Sequence, residues 1–248
     1  MKERYPGVFF SQFTGAELVA EKWNLSREDL DEFALESHQK AANATESKYF
    51  DREILPVEGK NAEGINELVL ADEGIRFDAS LDKLAGLKPV TDGGVITAGN
   101  ASQITDGAAA VMICNDAGLK KIQSNPRAEI VSISVVGDDP VFMLTGPIPA
   151  SKKALEAAGL SIDDMDLYEV NEAFAPVPLA WAYDLEADKS KLNVNGGAMA
   201  LGHPLGATGA KLMTTMLHEL ERRNGNYALQ AICEGGGTAN ATIIKRLS

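Results

Sequence analysis

The sequence predicts an α/β fold: a mixed sheet with helices on both faces, joined to a loop-rich α+β subdomain. Two observations carry this prediction. Strand-like and helix-like segments alternate over the second half of the chain, whereas the first part combines charged amphipathic stretches with short extended pieces broken by glycine. With 248 residues, of which 45% are hydrophobic and 24% charged, the chain is long enough to bury a large core.

Two helices are predicted near the N-terminus. Thr14 and Glu17 have the spacing of a capping box, and Ser26 and Asp29 repeat that spacing before a second amphipathic stretch. In this second stretch, apolar residues recur along one stripe between acidic residues and lysines, a pattern typical of a helix that packs on one side.

The sequence pattern changes twice in the middle of the chain. Residues 51–87 form short extended pieces separated by glycines, which predicts an irregular subdomain dominated by loops. After Pro89 a glycine-rich loop leads to a continuous apolar run over 108–114, the pattern of a strand buried on both faces. We expect the central sheet to begin with this run.

The remainder of the chain alternates between strand and helix patterns. Strands are predicted over 130–136 and 167–170, and helices over 151–158 and in a long stretch ending near Arg223. Two final strand-like runs, 227–232 and 239–244, are joined through three glycines and predict an antiparallel hairpin.

The net charge of the chain restricts the classes of molecule that it is expected to bind. Against 23 basic residues stand 36 acidic ones, a net charge of −13, and this disfavours binding to nucleic acid or to an anionic membrane surface. No apolar run approaches the length of a membrane span. We therefore expect no nucleic-acid partner and no membrane insertion.

The two cysteines, Cys114 and Cys233, lie far apart and form no CxxC motif. This argues against a disulfide framework, a zinc ribbon and a redox dithiol, so we expect no metal site and a cytoplasmic location. Cys114 ends an apolar run and is assigned to the inert core. Cys233 precedes three glycines whose NH groups would stabilise a thiolate or an oxyanion, although a small buried hydrophobe also fits there.

Reactive groups occur at three element boundaries of the second half. The segments are NEAFA at 171–175, GHPLG at 202–206 and CEGGG at 233–237. Ligands of α/β proteins bind where strands end and helices begin, so these positions suit catalysis. For His203, between Gly202 and Pro204, we favour a functional role over that of a loop residue capping the next helix. His38 and His218 lie on amphipathic stretches and are interpreted as partly exposed surface residues.

Taken in order, these motifs resemble the thiolase family of acyl-CoA C-acyltransferases. The resemblance rests on NEAFA, on NVNGGAMALGHPLGATGAK at 193–211 and on CEGGGTANATI at 233–243, and it extends upstream through TAGNASQITDGAAA at 97–110. It implies a loop domain over 1–105, the orphan final strand of an N-terminal domain over 106–125, and a C-terminal thiolase domain over 126–248.

The resemblance also implies a mechanism. One cysteine carries the acyl group, a histidine activates it, and a second cysteine moves the proton on the α-carbon of the acetyl group. His203 matches the activating histidine, and Cys233 matches the acid/base cysteine. Asn171 matches the asparagine that holds a catalytic water in a first oxyanion hole, and the NH of Gly235 would belong to a second hole.

The same resemblance implies coenzyme A as a substrate and no covalently bound cofactor. The residues that it assigns to CoA are Ala101 and Ser102 near the pantetheine, Met143, Ala173 and Phe174 lining the tunnel, and Arg76 near the adenine. An ordinary solvated arginine is the alternative for Arg76. GHPLG, CEGGG and the pair Ser102-Gln103 are more similar to degradative 3-ketoacyl-CoA thiolases than to biosynthetic ones.

The predicted function is thiolytic cleavage of a 3-ketoacyl-CoA to acetyl-CoA and a shortened acyl-CoA, in lipid or sterol side-chain breakdown. The family's acyl-accepting cysteine belongs to a domain that precedes the loop domain, so we expect this chain to lack it and to be inactive alone. Because a large apolar face would then be uncovered, we expect a homo-oligomer or association with an N-terminal thiolase half. Two alternatives stay open: a truncated, non-catalytic thiolase that retains CoA binding or subunit contacts, and a Cys-His-Asn acyl hydrolase with Cys233 as nucleophile.

Overall fold

The computed structural model describes residues 3–61 and 63–247. Its helices are α1 Gln12–Lys22, α2 Arg27–Glu46, α3 Leu81–Ala85, α4 Asp116–Ile122, α5 Pro147–Ala158, α6 Pro176–Asp184, α7 Ala198–Leu201 and α8 Thr208–Arg223. Its strands are β1 Val57–Lys60, β2 Asn66–Val69, β3 Ala128–Gly137, β4 Leu167–Val170, β5 Tyr227–Glu234 and β6 Thr238–Arg246.

The core is a four-stranded mixed sheet with the strand order β3-β6-β5-β4. β4 pairs with β5 in parallel, and the other two pairings are antiparallel. The predicted hairpin of the last two strands is confirmed, with the glycines of 235–237 at its turn. The sheet and its helices also confirm the predicted α/β class.

The two faces of the sheet are covered by different helices. Successive side chains of a strand point to opposite faces, and β5 follows this rule: Ala228 packs beside Met216 of α8, whereas Leu229 joins the main core with Ala154 of α5. Helices therefore cover both faces, as the sequence predicts, and the polar ends of β4 and β5 lie between them.

The two N-terminal helices form, but their caps differ from the prediction. Ser26 and Asp29 make the predicted capping box. The box predicted for Thr14 and Glu17 is wrong, because α1 begins before Thr14, with Ser11 as its N-cap. The Glu17 carboxylate instead accepts hydrogen bonds from the backbone NH groups of Val95 and Ile96, at 2.9 and 3.0 Å, and so ties α1 to the following loop.

The buried strand predicted over 108–114 does not form. This segment is exposed along its length and belongs to no sheet. A strand needs a neighbour to pair its NH and C=O groups, and none lies beside this segment within the described part of the chain. Cys114 is accordingly exposed, which corrects its assignment to the core.

The region between α2 and the central sheet is irregular, as predicted. It contains the two-stranded antiparallel pair β1–β2 and the short helix α3, joined by turns and loops. In the described ranges no helix is both long and apolar enough to cross a membrane.

Candidate active site

Two of the predicted site residues follow neighbouring parallel strands. Asn171 comes directly after β4, and its backbone NH donates to the C=O of Ala231 at 3.0 Å. Cys233 lies near the end of β5, two residues beyond Ala231. Because the carboxyl ends of parallel strands meet at one edge of a sheet, both residues lie at the edge where α/β proteins bind ligands.

His203 reaches the same edge from the loop between α7 and α8. Its Nε2 lies 3.4 Å from Nδ2 of Asn171, and its Nδ1 lies 2.7 Å from Oγ1 of Thr208. Burial lowers the pKa of this half-buried histidine, and the Lys211 cation lowers it further. The imidazole is therefore neutral at neutral pH and can accept a proton.

The backbone around His203 requires glycine at position 202. Gly202 has a φ of +81°, and a Cβ built on it would lie 2.1 Å from Oγ1 of Thr105. A side chain here would be strained in conformation and would also collide with Thr105. The close contact between Gly202 and Thr105 therefore fixes the course of the main chain from α7 to His203.

Asn171 is almost completely buried, at 1% exposure. With Nδ2 directed to His203, its Oδ1 accepts no hydrogen bond from any residue in the described ranges. A buried amide oxygen that accepts no hydrogen bond lowers the stability of the fold, so it is expected to accept one from a bound molecule. The Asn171–His203 pair thus offers one free acceptor and one basic nitrogen side by side.

Cys233 is a buried neutral thiol. Its burial raises the pKa to about 12, and the adjacent Glu234 carboxylate acts in the same direction. The expectation that neighbouring NH groups would hold a thiolate here is therefore wrong, because the loss of solvent outweighs them. A neutral thiol can donate a proton but is a weak nucleophile.

In the turn after Cys233, Gly237 packs closely against another segment of the main chain, whereas Gly235 does not. Gly237 has a φ of +82°, and a Cβ there would lie 2.9 Å from the C=O oxygen of Asp139. Gly235 is exposed, with open space around its Cβ position. The backbone NH of Gly235 is therefore accessible from outside.

Four of the six residues predicted to bind CoA lie together. Ala101 pairs with Phe174 in an isolated antiparallel bridge, and the NH of Ser102 donates to the C=O of Ala173 at 3.0 Å. Met143 is buried with a φ of +61° and belongs to the same hydrophobic core as Ala173 and Phe174.

Arg76 lies apart from this group on an exposed turn. Its backbone NH donates to Nδ1 of His38 at 3.0 Å. His38 itself is only 6% exposed, so its interpretation as a surface residue is wrong: the helix face that carries it is covered by the turn containing Arg76. His218 is half-buried, consistent with the prediction.

Two residues that support His203 were not among the predicted site residues. Thr208 bonds the imidazole from the first turn of α8, and Gln103 accepts a hydrogen bond from the His203 NH at 3.1 Å. The Gln103 side chain in turn donates to the C=O groups of Gly74 and Met199. The sequence could have indicated Thr208, because a hydroxyl residue in the helical turn after a loop histidine is well placed to bond the imidazole. No pattern in the sequence indicates the contact of Gln103.

A buried glutamate fixes the loop that carries Asn171. The Glu172 carboxylate accepts hydrogen bonds from Oγ of Ser37 at 2.7 Å, Nδ2 of Asn193 at 2.9 Å and the NH of Met199 at 3.1 Å. Burial raises the pKa of Glu172, while these three donors oppose the shift. One side chain thereby ties the end of β4 to α2 and α7.

Family models match almost the whole chain. The model described as the N-terminal domain of thiolase matches residues 8–117, and the model of the C-terminal domain of thiolase matches residues 124–246. The first match covers residues 8–105 of the segment assigned to a loop domain and residues 106–117 of the segment assigned to an orphan strand.

Curated relatives are similar over nearly all of this chain. The steroid 3-ketoacyl-CoA thiolase FadA6 of Mycobacterium tuberculosis is 55% identical over 98% of the chain and 58% of its own length. The mitochondrial 3-ketoacyl-CoA thiolase of Homo sapiens is 47% identical over 93% of the chain and likewise 58% of its own length. The chain thus spans less than two thirds of these relatives.

Solved structures show the same fold. The crystal structure of human mitochondrial 3-ketoacyl-CoA thiolase superposes with a TM-score of 0.91 at 46% identity, covering 95% of this chain and 59% of that one. A structure of the human enzyme in complex with CoA gives a TM-score of 0.87 at 45% identity, covering 94% of this chain and 58% of that one.

Proposed function

Because the chain belongs to the thiolase family, we propose that it contributes the acid/base half of a 3-ketoacyl-CoA thiolase site. The reaction consumes a 3-ketoacyl-CoA and CoA and yields acetyl-CoA and a shortened acyl-CoA. The observation that carries the proposal is the Asn171–His203 contact at the sheet edge where the strand bearing Cys233 ends.

In this reaction a thiolate attacks the 3-keto carbon, and the bond between that carbon and the α-carbon breaks. The electron pair of the broken bond remains on the acetyl-CoA part as an enolate. Cys233, as a neutral buried thiol, gives its proton to the α-carbon of the enolate and completes acetyl-CoA. The acyl group stays on the enzyme as a thioester until the sulfur of CoA attacks its carbonyl carbon and displaces the enzyme thiolate. The proton of the CoA thiol passes to the Cys233 thiolate, which restores the neutral thiol.

His203 serves the proton transfers on the thiols. A neutral imidazole with a lowered pKa accepts the proton of the attacking thiol, and as an imidazolium it then donates to the oxygen that gains negative charge. Asn171 supports this oxygen site through its free Oδ1, which suits a bound water. The NH of Gly235 is proposed for the carbonyl of the acyl-enzyme.

The acyl-accepting thiol is proposed to lie outside this sequence. Cys114 is on the exposed segment 104–114, and no hydrogen bond joins it to His203 in the described structure. Cys233 is the acid/base candidate, and its pKa of about 12 makes it a poor nucleophile, which also argues against the hydrolase alternative. On this view the chain needs a complementary thiolase half for turnover.

For the substrates, we propose a CoA thioester held by the group around Ser102 and Phe174, with Arg76 toward the adenine. The name of the relative at 55% identity supports a 3-ketoacyl-CoA derived from a steroid, and the names of the mitochondrial relatives support a 3-ketoacyl-CoA without further definition of the acyl chain.

An assembly in the cytoplasm is also proposed. Exposed apolar side chains follow one another along the segment 104–114 and along β3, and patches of this kind mark interfaces. They are Ile104, Val111, Met112, Ile113, Ile133 and Val135. Both cysteines are free, which fits a reducing compartment.

The test is a thiolysis assay of the purified chain with acetoacetyl-CoA and CoA, with and without the N-terminal half of the mycobacterial relative. We expect turnover only with the added half, and its loss in Cys233→Ala and His203→Ala. Cys114→Ala is the matched control and should leave the rate unchanged. Turnover by the chain alone would contradict the need for a complementary half, and CoA binding without turnover in either mixture would favour the non-catalytic alternative.

A further inference from the structure

Thr208 stands at one end of a short series of hydrogen bonds that runs through His203 to Asn171. Its Oγ1 lies 2.7 Å from Nδ1 of His203 and 3.0 Å from the C=O oxygen of Pro204. On the far side of the ring, Nε2 lies 3.4 Å from Nδ2 of Asn171. Both nitrogens of the imidazole therefore have a polar neighbour.

The donors in this series can be assigned by counting protons. A threonine hydroxyl has one proton, and the Pro204 carbonyl can only accept. When the hydroxyl donates to Pro204, its oxygen lone pair faces Nδ1, which must then carry the proton. Nε2 is left with its lone pair, and the Asn171 amide donates to it. Each donor then meets an acceptor.

Thr208 is well placed to enforce this arrangement. It is 3% exposed and begins α8, and its own NH also donates to the Pro204 carbonyl, at 2.9 Å. The hydroxyl is thus held by the same turn that carries the histidine. Lys211, the charged group acting on His203, disfavours the imidazolium, which leaves a neutral ring whose tautomer must be chosen.

Building on the proposed function, we propose that Thr208 is a positioning residue that holds His203 in the Nδ1–H tautomer, with the basic Nε2 directed into the site. When a thiol displaces the long 3.4 Å contact with the Asn171 amide, Nε2 accepts the thiol proton while Nδ1–H stays bonded to Thr208, so the ring does not turn during the transfer. In the other tautomer Nε2 already carries a proton and cannot act as a base.

Removing the hydroxyl makes the other tautomer accessible. Nδ1 would then have no partner in Thr208, and Asn171 could rotate its carboxamide so that Oδ1, which otherwise accepts no hydrogen bond, accepts from Nε2–H. Thr208→Val keeps the shape of the side chain and removes the hydroxyl, whereas Thr208→Ser keeps the hydroxyl. The two variants separate hydrogen bonding from packing.

The tautomer is read directly by long-range ¹H–¹⁵N NMR of the imidazoles in the full chain at pH 8. The chain has three histidines, and His203→Gln identifies the signals of His203. We expect the Nδ1–H pattern in the wild type and in Thr208→Ser, and a shift towards the Nε2–H pattern in Thr208→Val. If the signals of His38 and His218 stay unchanged in a variant, its fold is retained. If they move in Thr208→Val, Thr208→Ala is used in its place.

A wild-type spectrum with the Nε2–H pattern overturns the proposal, as does a folded Thr208→Val or Thr208→Ala protein with an unchanged Nδ1–H pattern. In the reconstituted thiolysis assay, Thr208→Val should lower kcat at least tenfold with KM for CoA unchanged, and Thr208→Ser should retain most of the rate. The spectrum needs no turnover. A correct tautomer in an inactive assembly would therefore refute the proposed function and leave this inference standing.

Discussion

Glu169 of β4 and Gln230 of β5 are register partners across the parallel strand pair, and each has a buried side-chain oxygen that accepts no hydrogen bond from the described residues. A buried acceptor oxygen without a donor is costly. Burial raises the pKa of Glu169 well above its ordinary value, and the nearby Glu172 adds to the shift. Burial therefore favours the neutral carboxylic acid, which has a proton to donate.

Replacing Glu169 by glutamine should make the protein less sensitive to alkaline pH. Because the pKa is raised in the folded state, the wild type has its full stability below the ordinary pKa of about 4.5 and loses it as the pH rises through the folded value. Glu169→Gln supplies a permanent donor and should be more stable than the wild type at pH 8–9 by about 1–3 kcal/mol. Urea denaturation between pH 5 and pH 9 measures this difference. Glu46→Gln, at an exposed position, is the control, and parallel profiles for wild type and Glu169→Gln would contradict the prediction.

The two cysteines should differ in their reaction with iodoacetamide. Cys114 is exposed, whereas Cys233 is buried and its pKa is raised to about 12, so little thiolate is available at pH 8. Peptide mass spectrometry should find Cys114 modified first and Cys233 modified only after unfolding in urea. Equal rates in the native protein would mean that Cys233 is accessible and would weaken its proposed role as a neutral acid.

His38 should influence CoA binding although it lies beneath the surface. Its Nδ1 accepts from the Arg76 NH, and burial lowers its pKa, with the Arg76 charge acting in the same direction. Stability from this contact is present above pH 6.5 and is lost as the pH falls through the lower folded pKa, since protonation removes the acceptor.

His38→Ala should therefore cost about 1–3 kcal/mol of stability and weaken CoA binding several-fold in titration calorimetry. Arg76→Ala is the matched variant, because it removes the guanidinium and keeps the NH that His38 accepts. Weaker binding in Arg76→Ala together with unchanged binding in His38→Ala would show that the turn holds its shape without the histidine.

Gly197 should tolerate no side chain. A Cβ at this position would lie 2.3 Å from Cδ of Glu172 and would push the carboxylate away from its three donors. We expect Gly197→Ala to destabilise the protein by about 2–4 kcal/mol in urea denaturation. Gly206→Ala, where the Cβ position has open space, is the control and should change the stability by less than about 1 kcal/mol. Similar losses in both variants would indicate a general effect of glycine replacement.

The sequence predicts the second half of the fold well because its signals are local. Strand β4, helix α8 and the β5–β6 hairpin follow from periodicity and from glycines at the turns. Helix α6 was not predicted: nearly all of its residues are buried, so it has no polar face, and Pro176 and Pro178 resemble loop residues.

Other features depend on partners distant in the sequence. An apolar run over 108–114 indicates burial, but the strand forms only beside another strand. His38 becomes buried because the turn at Arg76 folds over its helix. At the site, motifs identify Asn171 and His203, and their contact requires the loop geometry that begins at Gly202.

Gln103 links two regions that the sequence separates by more than a hundred residues. Its side chain holds the C=O of Gly74, next to the turn of Arg76, and its own C=O holds the NH of His203. A single side chain therefore couples the position of the 74–76 turn to that of the loop that carries His203. A substitution that reshapes this turn will also displace the histidine, although the two segments are far apart in the sequence.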